Sequence, residues 1–350
     1  MKIGFYNPYL DCFGGGERYV LTLASHWSKY NDVVVFWDDP HILLESERRF
    51  QLDLRHVKLT SNVFESGNKL LKLTTTSLYD VMFFLSDGSI PFSLAGHTIY
   101  HFQVPFPTIR FPVWKRMKSY SIVCNSQFTL DHIDQTVRKN ARVIYPPVAV
   151  DEFTTGKKEK IILTVGRFDS YWFAKKQDIL INIFKEGFSK GILKGWKFIL
   201  AGSMLSTDQA YVDKLKDSGK GFPIEFFTDL SFSHLRTLYE KAALYWHAAG
   251  FGESDPQKME HFGITTVEAM ASGCIPVSYN AGGQPEIINH GEDGYLWTTK
   301  EECLDYTVRI IQSEKLQKAL RTSAQSRVKL FSSAIFCQRF DEIITAITGR

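Results

Sequence analysis

The sequence predicts an α/β protein made of two Rossmann-like units, and three observations lead there. Short β-branched or aromatic runs alternate with helical stretches, the pattern of a mainly parallel sheet with helices on both faces. The alternation restarts near the middle of the chain, after IYPPVAVDEF (Ile144 to Phe153). The length of 350 residues accommodates two domains of about 100 to 200 residues each, and 44% apolar with 14% aromatic residues is enough for two cores.

In the first half KIGFYN, DVVVFW, HVKL, VMFFLS, TIYHF, SIVCN and ARVIY read as strands. Gly14, Gly15 and Gly16 lie between the first strand and a helix starting near Glu17. The stretch TGKKEK (Thr155 to Lys160) reads as an exposed connector, with a hinge near residues 148 to 158. KIILTVG, WKFILAG, IEFFTD, ALYWHAA and IPVSYN form the second strand series. The expected domains are therefore 1–150 and 151–330. The terminal segment FSSAIFCQRFDEIITAI (Phe331 to Ile347) has the apolar periodicity of a helix. Neither half carries GxGxxG in the context of a dinucleotide fold, which disfavours a nicotinamide dehydrogenase.

Composition removes other classes. The opening MKIGFYNPY lacks the apolar core of a secretory signal. No run approaches the ~18 uncharged apolar residues of a membrane span, because VMFFLSDGSIPFSLAG is cut by Asp87 and Pro91. Five scattered cysteines without a CxxC pair argue against a disulfide framework and a zinc site. The expected setting is reducing and cytoplasmic. Net charge is +3, and residues 1–150 hold 16 Lys/Arg against 13 Asp/Glu, too small an excess for a nucleic-acid footprint. RFPVWKRMKSY (Arg110 to Tyr120) mixes aromatic and basic residues as an interfacial patch does, with Lys69 and Lys72 as possible additions. A solvated basic helix has the same composition, so peripheral contact with anionic lipid at the inner membrane face is one of two readings.

The chemistry concentrates in EHFGITTVEAMASGCIPV (Glu260 to Val277). A helix starting near Phe262 would turn its free amides and positive dipole end toward a diphosphate. Glu260 and Glu268, roughly 12 Å apart if the whole interval is helical, would then serve a sugar and a ribose. That separation exceeds the roughly 5 to 9.5 Å of a glycosidase carboxylate pair. An amphipathic helix with a solvated glutamate at each end is the plainer alternative. Arg167 follows the strand IILTVG and Lys175 lies on the next loop, where two cations can neutralise a leaving diphosphate. A solvated lysine pair at Lys175 and Lys176 is the competing reading. His101 ends an apolar strand before QVPFP, a placement for hydrogen-bonding a sugar hydroxyl, although an isolated histidine is as often structural. In AGGQPE, Pro285 is expected at the first position of a helix, where structural capping and ligand binding are equally served. The polar loop GFGESDPQKM reads as a lid.

These segments, with GGGERYV, YHFQVPFP, CNSQFT, IYPPV and TVGRF, resemble the landmarks of retaining GT-B glycosyltransferases of glycosyltransferase family 4, whose hallmark is Glu, seven residues, Glu. The resemblance spans nearly the whole chain and is nearest to lipid-linked oligosaccharide mannosyltransferases and bacterial surface-polysaccharide transferases. It implies a GT-B fold, two Rossmann-like domains facing across a cleft, with the helix 331–350 crossing back to the first. It implies transfer of a hexose, mannose in the nearest flavour, from a nucleotide diphosphate to a hydroxyl of a lipid-linked or polysaccharide acceptor with retention. His101, Glu260, Arg167 and Lys175 are the catalytic positions carried over, and Gly15, Gly16, His261, Phe262, Gly263, Ile264 and Glu268 the donor-binding ones. Counting back from DILINIF selects Lys175 over Lys176. The insert DSYWFAKKQ is longer than in the family, and a glycine common after the lysine is missing. No side chain stands out as a nucleophile, so front-face attack is expected, with the departing phosphate helping to take the acceptor proton. No cofactor and no metal are expected, the two cations replacing a divalent ion. A phosphorylase or epimerase of the same fold and a catalytically silent scaffold subunit are the alternatives.

Overall fold

The computed structural model describes residues 1–111, 119–139, 141–169 and 174–348. Most of the basic aromatic segment and residues 170–173 of the insert lie outside them. The chain divides into two units, Met1–Pro147 with the segment from Ser333 on, and Val148–Ser332.

Unit 1 holds strands β1 (Lys2–Tyr6), β2 (Asp32–Phe36), β3 (Val57–Thr60), β4 (Val81–Leu85), β5 (His97–Phe102), β6 (Tyr120–Cys124) and β7 (Ala141–Val143). Among the described residues they form one seven-stranded sheet in the order β3-β2-β1-β4-β5-β6-β7, with every pair parallel. The order reverses beside β1, which makes the ends of β1 and β4 the switch point where α/β sheets bind ligands. Helices α1 (Gly15–Ser28), α2 (Ile42–Phe50), α3 (Lys69–Thr76), α4 (Gln127–His132) and α5 (Gln135–Arg138) connect them. The central strands β4 and β5 are buried end to end, as a sheet covered on both faces requires. In α3, Lys72 donates to the Phe64 carbonyl at 2.6 Å, while Leu70 and nearby Leu78 stay exposed.

Unit 2 repeats the scheme with β8 (Glu159–Val165), β9 (Lys197–Gly202), β10 (Ile224–Thr228), β11 (Ala242–His247), β12 (Ile275–Tyr279) and β13 (Tyr295–Trp297). Their order is β10-β9-β8-β11-β12-β13, again parallel, with the reversal at β8 and β11. The interleaved helices are α6 (Gln177–Ser189), α7 (Gln209–Gly219), α8 (Phe232–Lys241), α9 (Ile264–Ala271), α10 (Gln284–Ile287), α11 (Lys300–Ile311) and α12 (Glu314–Arg327). Trp246, Trp297, Phe184 and Phe198 anchor its core. The connector Thr155–Lys160 is not wholly solvated, because Lys158 donates to the Tyr239 carbonyl at 3.0 Å and the Ser272 carbonyl at 2.6 Å, at the ends of α8 and α9. The strand β13 has no counterpart in the sequence reading.

The last helix, α13 (Ser333–Thr348), places Phe336, Phe340 and Ile343 in the unit 1 core beside Tyr19, Trp27 and Phe83. That spacing sets one apolar stripe along a helix. Asp341 fixes it to α1 by accepting from Trp27 Nε1 at 3.0 Å and bonding His26 Nε2 at 2.8 Å. Among the described residues no helix is long and apolar enough to cross a membrane.

Candidate functional site

In unit 1 the glycine loop is ordered by a buried carboxylate. Glu17 accepts from the Gly14 amide at 2.7 Å and from Asn7 Nδ2 at 3.3 Å. Gly15 is exposed at the start of α1 and leaves its backbone open. Gly16 faces Gln103, just beyond β5, so closely that a Cβ there would lie 2.5 Å from Oε1. The loop and the end of β5 are therefore neighbours.

His101 lies on β5 and is 0% exposed, deeper than a side chain on open surface. It stacks on Tyr19 with ring centroids 3.8 Å apart and bonds Val123 O through Nδ1 at 3.2 Å. Because a carbonyl only accepts, Nδ1 carries the proton and Nε2 is an accepting nitrogen, buried without a partner. Burial lowers its pKa to about 3, so the ring is neutral and Nε2 can only accept. His97 on the same strand bonds Ser119 and Ser121, a structural arrangement.

In unit 2 two of the predicted residues, Lys175 and Glu260, meet beside the end of β11. Arg167 follows β8, its carbonyl held by Gln177 Nε2 at 3.0 Å. Glu260 Oε2 accepts from Lys175 Nζ at 2.7 Å and meets His247 Nε2, the end of β11, at 3.1 Å. Lys176 instead pairs with Glu253 at 2.5 Å, within the loop read as a lid. The two lysines thus have separate partners. Burial works against ionisation of Glu260, but the Lys175 ammonium and the His247 bond outweigh it, so the carboxyl titrates well below the usual carboxylate range.

The motif helix differs from expectation. It begins at Ile264 with Gly263 as its cap, not at Phe262. Gly263 has φ 117°, and a Cβ there would collide with Gln284 Nε2, so only glycine fits. Phe262, before the cap, is buried and packs edge-on against Phe331. Glu260 therefore stands on the coil before α9, and the roughly 12 Å helical ruler does not apply. Intrahelical bonding starts with the Thr266 amide on Gly263 O, which places the Ile264 and Thr265 amides at the mouth of the helix. Glu268 is 5% exposed inside α9 and accepts from the Tyr239 hydroxyl at 3.0 Å. Burial, then the Glu268 charge, push Tyr239 well above its ordinary value, so it remains a donor. His261 donates through Nε2 to Gln257 O at 3.2 Å, and burial lowers its pKa to about 4.

The sequence reading singled out Gln284 within AGGQPE but not the bonds it makes, and it missed other supports. Gln284, fully buried, donates to Phe262 O at 3.3 Å and accepts from Thr266 Oγ1 at 3.0 Å. The helix α10 starts at this residue, so Pro285 takes its second position rather than its first. The Tyr245 hydroxyl joins Val165 O at 3.2 Å to Thr265 Oγ1 at 2.8 Å, tying the end of β8 to the first turn of α9. His247 was not singled out, although a histidine at a strand end in WHAAG was the available signal. Among the described residues no group of three or more His, Cys, Asp or Glu side chains is placed to hold a metal.

Residues 150–327, just over half of the chain, match the family profile described as glycosyl transferases group 1. A Dictyostelium discoideum protein named GDP-Man:Man(3)GlcNAc(2)-PP-Dol alpha-1,2-mannosyltransferase is 22% identical over an alignment covering 100% of this chain and 85% of that protein. Anabaena HepE in complex with UDP-glucose superposes with TM-score 0.72 at 18% identity, covering 99% of this chain and 100% of that one. Sucrose-phosphate synthase from Thermosynechococcus elongatus does so with TM-score 0.73 at 14% identity, covering 100% and 99%. At these identities the structural matches establish the fold.

Proposed function

The chain belongs to the glycosyl transferases group 1, the retaining GT-B enzymes of glycosyltransferase family 4, and we propose that it moves a hexose from a nucleotide-diphosphate donor to a hydroxyl of a lipid-linked or polysaccharide acceptor. The observation that carries the proposal is the cluster of unit 2, in which an ionised Glu260 is held by Lys175 and His247 beside the mouth of α9. The Ile264 and Thr265 amides, the backbone of His261, Phe262 and Gly263, and the cations Arg167 and Lys175 take the diphosphate. Glu260 faces the donor sugar and offsets positive charge at its anomeric carbon. Glu268, oriented by Tyr239, accepts from the ribose hydroxyls. In unit 1, the backbone at Gly15 and Gly16 approaches phosphate or acceptor, and the enclosed His101 meets a sugar hydroxyl when ligand binding uncovers Nε2.

No side chain in the sequence stands out as a nucleophile, so the acceptor attacks on the face the diphosphate leaves, and the leaving phosphate takes its proton. The protein contributes orientation and electrostatics, with Arg167 and Lys175 in place of a divalent cation. Mannose is the preferred sugar, a choice supported by the names of the relatives. The exposed Leu70 and Leu78 of unit 1 suit peripheral contact with a membrane-borne acceptor.

Thermal unfolding with GDP, UDP and ADP tests the donor site. The correct nucleotide at 100 times its dissociation constant adds about 2.7 kcal/mol. Silence toward all three would remove the reading, and loss of transfer on adding EDTA would remove metal independence. Release of sugar that is independent of any acceptor would identify a different reaction.

A further inference from the structure

Both side chains that hold Glu260 converge on one oxygen, Oε2, with Lys175 Nζ at 2.7 Å and His247 Nε2 at 3.1 Å. They are anchored unequally. His247 is the last residue of β11, an internal strand at the sheet reversal, and its side chain is 2% exposed. Lys175 lies on the coil before α6, 22% exposed on a flexible four-carbon stem. The ammonium can swing away, whereas the imidazole moves only with the sheet.

Since an ionised carboxylate only accepts, Nε2 of His247 carries a proton. Its other nitrogen, Nδ1, is buried without a partner. Buried polar atoms are seldom left unpaired, and an apolar ring would fill the same space without that penalty. The bond to Glu260 is what this histidine adds at the end of β11.

We propose that His247 is the positioning residue that keeps Glu260 in place through Oε2 when a diphosphate draws Lys175 away, leaving Oε1 for the donor sugar. The inference rests on the donor-site reading above. In the ligand-free chain Lys175 and Glu260 neutralise each other. A diphosphate offers Lys175 a larger negative charge, and the partly buried carboxylate, 16% exposed, then depends on the His247 N–H alone.

The test is imidazole nitrogen NMR on the full chain labelled with 15N-histidine, in wild type, Glu260→Gln and Lys175→Met. The His247 signal is expected to report a protonated Nε2, to shift in Glu260→Gln, and to persist in Lys175→Met and in wild type saturated with GDP or UDP. Kinetics supply the second readout. His247→Leu should lower kcat by about tenfold to hundredfold with KM changed less than threefold, and His247→Gln, which restores an N–H donor, should recover most of that loss. A His247 signal indifferent to Glu260→Gln, or a folded His247→Leu with unchanged kcat, overturns the proposal. Should His247→Leu fail to fold, the Lys175→Met and Glu260→Gln spectra still decide it. Nucleotide binding with a silent His247 refutes the positioning role alone. A responsive His247 in a chain that binds no nucleotide refutes the donor site and the exchange with it.

Discussion

Acidification tests whether His101 is held neutral within unit 1. The ring is fully enclosed, stacked on Tyr19 and bonded to Val123, and burial lowers its pKa from 6.5 to about 3. The native chain therefore refuses a proton that the unfolded chain accepts below about pH 6.5. The sign follows directly: the contribution to stability is complete above that pH and is lost as pH falls toward 3. At pH 5 the unfolded ring is about 97% protonated and the native ring about 1%, so stability changes by about 1.3 kcal/mol per pH unit. Integrated from pH 7 to pH 5, the loss is about 2 kcal/mol from this one group. Urea unfolding of wild type and His101→Leu at the two pH values isolates it, because other titrating groups cancel in the difference. Wild type should lose about 2 kcal/mol more than the variant. Equal losses in both proteins would mean that the folded ring takes up its proton, and the enclosed neutral imidazole would be refuted.

Three further outcomes follow from the supports. Lys158→Met leaves the ends of α8 and α9 without the ammonium on Tyr239 O and Ser272 O, and should lower unit 2 stability by about 1–3 kcal/mol in urea titration. Asp341→Ala removes the bonds to Trp27 and His26; α13 should lose about 1 kcal/mol of docking, read as faster amide exchange across residues 333–348. Gly263→Ala combines φ 117° with a collision against Gln284 and should cost about 1–3 kcal/mol from the backbone alone, seen as a lower Tm.

Most of the fold was legible because a parallel sheet covered on both faces needs continuous apolar strands, and VMFFL or KFILAG need no partner to be recognised. The fold class also rested on the restart of the alternation, and the two sheets reverse at corresponding strands. Residues Tyr295–Trp297 escaped because three residues carry no period; pairing with β12 makes them a strand. Lys158 looked solvated because a lysine beside glycine and more lysine usually is, and only folding brings two helix ends to its ammonium.

The site divides along the same line. Residues carried by a local motif, Glu260 through Glu268, could be located from sequence, but their conformation depends on partners far along the chain. Phe262 packs on Phe331 outside the helix, and Gly263 serves as the cap at φ 117° where Gln284 leaves no room for a side chain. His247 lacks even a motif, since its relation to Glu260 has neither helical nor strand spacing. What makes it a partner is the reversal of strand order, which sets β11 beside β8 and brings the ends of both strands to the coil before α9. The strand end in WHAAG is visible in the sequence, but the partner of its histidine is not until topology is known. Once the sheet order is known, its bond to an ionised carboxylate and its unpartnered second nitrogen distinguish it from a histidine that merely fills the core.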